Sequence, residues 1–284
     1  MDNETISYSK VCSLTFEDNL NINETSLDLV KNTTILKDKV DENYKFVNKN
    51  IFFRIFSFIF YCLVYIIVYP ILFFYFLPKV KGRKNLKKVK NAVFVCNHTF
   101  ILDCAVLDIF ALPFIRPYIL AEKNSFQIPV VNFIIKMLRA VPIPNNIKAY
   151  KSFFTQINQE LQNKKSLLIY PEGSLWPYFS QIRPFKNGAF KFSVKNDVPV
   201  IPLVISFRKP NKLYKFLGRK KPLININILE PIFVDKTNKI KEEENRLNNI
   251  AYSSMKECFI KNNSYVYINQ KRLNKENKKL DKIR

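Results

Sequence analysis

Histidine is nearly absent from this chain: His98 is the only one in 284 residues. Imidazole chemistry near neutral pH therefore has a single place to occur. Glycine is almost as scarce, at four residues, and two of them fall in segments singled out below. The five cysteines, Cys12, Cys62, Cys96, Cys104 and Cys258, are odd in number, scattered and without a CxxC pair. That argues against a zinc site or disulfide scaffold and is compatible with a reducing compartment. No metal site is expected. Acidic residues are outnumbered two to one, 23 against 46 basic, for a net charge of +23. Such a balance calls for an anionic partner: nucleic acid, a phospholipid surface or a phosphorylated substrate. The basic residues cluster beside an apolar span and at the tail, with no zinc pattern or RNA-binding signature, so no nucleic-acid partner is expected. A signal peptide is also missing, because the start is acidic and polar with no apolar core. There is no internal repeat.

What the chain has in quantity is apolar and aromatic residues between Ile51 and Leu77. From Ile55 to Leu77 no residue is charged. As a helix this run is about 35 Å long, enough for a hydrocarbon core of about 30 Å. Pro70 would kink such a helix or split it, leaving one membrane-anchoring helix or a helical hairpin. A dense basic cluster follows (Lys79, Lys81, Arg83, Lys84, Lys87, Lys88, Lys90), which suits anionic head groups on the cytosolic side. The expected organisation is a disordered polar arm over 1–50, a membrane anchor over 51–78, a catalytic domain over 79–262 and a basic tail over 263–284.

From Ala92 onward, short apolar strands alternate with helical patterns. Strands are expected at 92–96, 118–121, 166–170, 200–206 and 224–228. Apolar faces at 147–161 and 240–259 mark helices. This predicts an α/β fold with a mostly parallel sheet flanked by helices.

Four segments carry the chemistry. Asn97-His98 with Asp103 five positions on places an imidazole at a strand end and a carboxylate in the first turn of the next helix. Pro171-Glu172-Gly173-Ser174 follows another strand and reads as a tight turn, with Gly173 letting backbone approach a ligand. Arg183-Pro184-Phe185-Lys186-Asn187-Gly188-Ala189-Phe190 adds cations near that turn, suited to a phosphate. Val198-Pro199-Val200-Ile201-Pro202 is the fourth.

In this order the blocks resemble the glycerolipid acyltransferase family typified by 1-acylglycerol-3-phosphate acyltransferases. The resemblance runs from about Lys81 to Ile205. It includes Lys123 to Pro129, similar to the family's Lys-x-x-Leu-x-x-x-Pro element but one residue shorter. It implies transfer of a fatty acyl group from acyl-CoA or a carrier-protein thioester to a lysophospholipid hydroxyl, with acyl-CoA as co-substrate rather than a bound cofactor. It casts His98 as general base and Asp103 as its orienting partner. Lys123, Glu172, Gly173, Ser174, Arg183 and Lys186 fall to substrate binding. It also implies a phospholipid membrane as partner: the endoplasmic reticulum in a eukaryote, the plasma membrane in a bacterium. Two departures bear on the acceptor. Leu175 stands where many members carry an arginine, and 141–150 lacks another. Losing a bidentate phosphate partner weakens recognition of a bare monoester, so a larger head group competes with lysophosphatidic acid. A non-enzymatic membrane tether that keeps the fold is the alternative outside catalysis.

Overall fold

The computed structural model describes residues 40–127, 129–219 and 221–265. A seven-stranded sheet in the order β1-β7-β6-β2-β5-β3-β4 organises them. The strands are β1 (Lys79–Lys81), β2 (Val93–Cys96), β3 (Tyr118–Glu122), β4 (Ala140–Ile143), β5 (Leu167–Ile169), β6 (Val200–Arg208) and β7 (Leu223–Ile228). Strands β6, β2, β5, β3 and β4 run parallel; β7 turns back antiparallel to β6, and β1 follows β7. The mostly parallel α/β arrangement is as the sequence predicts.

A parallel sheet must be covered on both faces, and β2 shows how. Val93 and Val95 point into one core with Phe153, Ile157, Phe190, Leu247 and Met255. Phe94 and Cys96 point into the other with Leu72, Phe76, Val106 and Phe110. The first face is covered by α4 (Ile147–Gln162), α5 (Gly188–Asn196) and α7 (Ile240–Asn262). The second is covered by α1 (Ile51–Phe76) and by α2 (Asp103–Val106), which runs on into a wider turn over Leu107–Ala111. Two shorter helices, α3 (Pro129–Met137) and α6 (Lys212–Phe216), complete the elements used below.

Helix α1 runs unbroken through Pro70, so the chain has the single helix rather than the hairpin. The Asn50 side chain caps its start by accepting from the Phe52 and Phe53 amides. At its end, Tyr214, Arg219 and Arg208 donate to the free carbonyls of Phe74, Tyr75 and Leu77. Ser57, Tyr61, Leu72 and Phe76 form its buried stripe. That stripe spans about 28 Å at 1.5 Å per residue, so α1 lies along the domain rather than standing off it. The opposite face is apolar and exposed, with Phe52, Ile59, Ile66 and Phe74 all more than half accessible. It is the one helix among the described residues long and apolar enough to cross a membrane.

Residues 40–50 correct the expected extent of the polar arm. Val40, Phe46 and Val47 are buried against α4, and the Val47 amide donates to Gln156. Three apolar side chains in a polar stretch suffice to dock it. The rest of the expected arm and nearly all of the basic tail lie outside the described residues. The basic cluster is folded as well: Lys79–Lys81 is a sheet strand and Arg83–Lys88 a short 3₁₀ helix.

Candidate active site

The site forms where β2 and β5 end side by side, the edge where open α/β sheets place ligands. Asn97, just past β2, is sealed and pinned: its amide donates to the Ile205 carbonyl, and its oxygen accepts from the Ile205 amide, both at 2.9 Å. That double bond to β6 fixes the backbone that presents His98. The His98 Nδ1 lies 2.7 Å from Asp103 Oδ2. The same carboxylate oxygen accepts the Thr99 amide at 3.0 Å. The His98 side chain is 24% exposed while Asp103 is fully buried. The carboxylate thus engages Nδ1, and Nε2 is the imidazole nitrogen that it leaves open.

Strand β5 delivers the second part. Gly173 takes φ +77°, a left-handed turn conformation. The Lys186 side chain crosses directly over it, so that a Cβ at 173 would sit 2.8 Å from Lys186 Nζ. Glu172 is buried and clasped by Arg183, whose Nε and Nη2 donate to Glu172 Oε2 at 3.0 and 2.7 Å. Arg183 Nη1 also donates to the Ser174 hydroxyl at 2.8 Å, and the guanidinium stacks on Trp176, 4.4 Å from the ring centre. Burial pushes the Glu172 carboxyl up, and the Arg183 charge opposes it.

The sequence-predicted residues thus meet, with two qualifications. His98, Asp103, Glu172, Gly173, Ser174, Arg183 and Lys186 form one neighbourhood. Arg183, expected beside a substrate phosphate, instead spends its donors on the turn. Lys123 begins the 3₁₀ turn after β3 (Lys123–Phe126), on the same sheet edge but two strands from β2.

One contact escapes the motif reading. The Tyr170 ring stacks on the imidazole, centroids 4.2 Å apart; its one signal in sequence is its place at the strand end before Pro171. The strap after the turn is also tied to the histidine loop, as the Trp176 amide donates to His98 and the Tyr178 amide to Thr99. Two thiols lie nearby, and burial disfavours the thiolate of each. Burial holds Cys96 well above the ordinary thiol value, and burial followed by the Asp103 charge pushes Cys104 up to about 12.

The acyltransferase family model matches residues 78–206, a span that contains every one of these groups. This segment, somewhat under half of the chain, is similar to the acyltransferase family. An acyltransferase of Schizosaccharomyces pombe is 26% identical over 66% of this chain and 67% of its own length. A chloroplastic 1-acyl-sn-glycerol-3-phosphate acyltransferase of Brassica napus is 27% identical over 44% of this chain and 36% of its own. A Caenorhabditis elegans protein named as a putative 1-acyl-sn-glycerol-3-phosphate acyltransferase is 26% identical over 46% and 50%. The chain thus spans half or less of those last two relatives. The crystal structure of the lysophosphatidic acid acyltransferase PlsC from Thermotoga maritima aligns over 64% of this chain and 71% of its own, at 23% identity and a TM-score of 0.47.

Proposed function

We propose that the chain is a membrane-bound acyltransferase that moves a fatty acyl group from acyl-CoA to the free hydroxyl of a lysophospholipid, 1-acylglycerol-3-phosphate first among acceptors. The observation that carries this reading is the partly open imidazole of His98 held by a sealed Asp103 at 2.7 Å. An alcohol is almost wholly protonated at neutral pH, so a base must take its proton as attack proceeds. His98 Nε2 accepts that proton while the acceptor oxygen bonds to the thioester carbonyl carbon. The carbon–sulfur bond then breaks, and the thiolate leaves with the proton that the imidazolium returns. Asp103 fixes the tautomer and stabilises the imidazolium. The hydroxyl comes from the acceptor, so no protein nucleophile is required.

Lys186, exposed across Gly173, is the best-placed cation for the acceptor phosphate; Lys123 is the second. Residues 79–262 form the catalytic domain in this reading and 51–78 the anchor. The exposed apolar face of α1, with its opposite face packed on the domain, supports a helix lying in one leaflet with the site at the bilayer surface. The donor is acyl-CoA, with a carrier-protein thioester as the alternative form.

A second acceptor class is favoured by one observation. Arg183 is buried and committed to Glu172 and Ser174, so it does not replace the arginine missing at Leu175. That weakens the case for a bare phosphate monoester and favours a lysophospholipid with a larger head group. Thiol release from oleoyl-CoA with a panel of lysophospholipids tests both. Release with lysophosphatidic acid alone supports the first reading; release with only larger head groups supports the second; silence across the panel in folded protein overturns the enzyme reading.

A further inference from the structure

A second cationic site lies at the opposite edge of the sheet. A cavity of about 290 Å³ opens between the start of α1, the end of α3, strand β4 and residues 44–48. Strand β4 is the sheet edge, three strands from β2, or about 14 Å at the usual strand spacing. None of the residues placed at the His98 site lines the cavity. Its lining carries four cations, Lys45, Arg54, Lys136 and Arg139, and no carboxylate. Two acids lie behind the lining: Glu160, which accepts from the Tyr118 hydroxyl at 3.0 Å, and Asp108, on which the Arg139 charge acts. Beside it, burial first and then the Arg139 charge push the Arg116 guanidinium down to about 10, while Asp108 opposes them.

The surroundings say what kind of anion belongs there. The two helices that border the cavity carry its apolar neighbours on their outer faces: Phe52 and Phe56 on α1, Val130 and Phe133 on α3, all exposed. An edge-on contact between Phe60 and Phe133, centroids 6.0 Å apart, joins the two helices. The volume is at the lower end of small-molecule sites. It accommodates a head-group phosphate and leaves acyl chains to lie outside, along apolar surface. A freely diffusing phosphate has no use for that surface.

We propose that this cavity binds the phosphate-bearing head group of an anionic glycerophospholipid, as a site separate from the one at His98. The inference rests on the membrane-facing reading of α1 and is independent of acyl transfer.

The test is native mass spectrometry of the full chain in micelles supplied with dioleoylphosphatidylglycerol or dioleoylphosphatidylcholine. The wild type is expected to retain one phosphatidylglycerol in preference to phosphatidylcholine. The variant R54Q/K136Q, which leaves the Arg139 contacts in place, is expected to weaken retention by roughly 30-fold, from two cations near a lipid surface. K256Q/K261Q makes the same charge change on α7, away from the cavity, and is expected to leave retention unchanged. Equal retention of the two lipids, equal retention by R54Q/K136Q, or equal losses in both variants overturns the site. So does excess inorganic phosphate that stabilises the wild type while no phosphatidylglycerol is retained, which would mark a pocket for the free ion. Thiol release is read separately, so failure here leaves the acyl-transfer reading standing.

Discussion

The Tyr170 ring lies nearly flat on the His98 imidazole, with planes 21° apart. Its buried hydroxyl faces Asp103, the acid that holds the imidazole, so the ring and the oxygen meet the pair from the same side. Tyr170→Phe keeps the stacked ring and is expected to keep activity within a few-fold. Tyr170→Ala frees the imidazole, and kcat is expected to fall at least tenfold with little change in KM, since orientation of the base is lost. Steady-state kinetics on both variants checks this; equal loss in the two would assign the role to the hydroxyl.

Arg183 and Glu172 make a separate case. If the guanidinium holds the turn, Arg183→Gln leaves a buried carboxylate unpaired and costs about 3–5 kcal/mol. Chemical denaturation is expected to show that loss, with partial recovery in R183Q/E172Q. An unchanged denaturation midpoint with a raised KM for the acceptor would instead make Arg183 a substrate ligand.

How much of this was legible follows physical lines. Parallel strands buried on both faces, such as β2, stand out as continuous apolar runs. The two missed strands do not. β1 is only Lys-Val-Lys, and β4 contains Pro142, which argues for a loop unless the strand is at an edge, where β4 is. His98, Asp103 and the Glu172–Ser174 turn are visible because ordered motifs fix them. The role of Arg183 is not, because spacing does not tell whether a cation faces a ligand or a buried acid. The Tyr170 stack is invisible for a similar reason: an aromatic residue at a strand end looks like ordinary core.

Asp108 lies buried in the wide turn after α2, and burial pushes its carboxyl up to about 7, against the pull of Arg116 and Arg139. Between about pH 4 and 7 the unfolded state ionises first, so native stability falls as pH rises through that window. The ionised form above pH 7 costs on the order of 4 kcal/mol. Asp108→Asn is therefore expected to help more at pH 8 than at pH 5 in thermal melts. The same shift at both pH values would contradict the buried-acid account.

Ile59 and Ile66 project from the outer face of α1. The variant I59K/I66K is expected to fold with an unchanged melting temperature yet lose flotation with phosphatidylcholine vesicles, since each lysine in hydrocarbon costs about 2.5–3.5 kcal/mol. Unchanged flotation would mean that this face does not enter the bilayer.

The account turns most directly on thiol release from oleoyl-CoA by detergent-purified protein, with and without lysophospholipids, comparing wild type and His98→Ala. Acceptor-dependent release in the wild type, reduced about 10²- to 10⁴-fold in a folded variant, is the predicted result. Equal release by the two proteins would contradict His98 as the base.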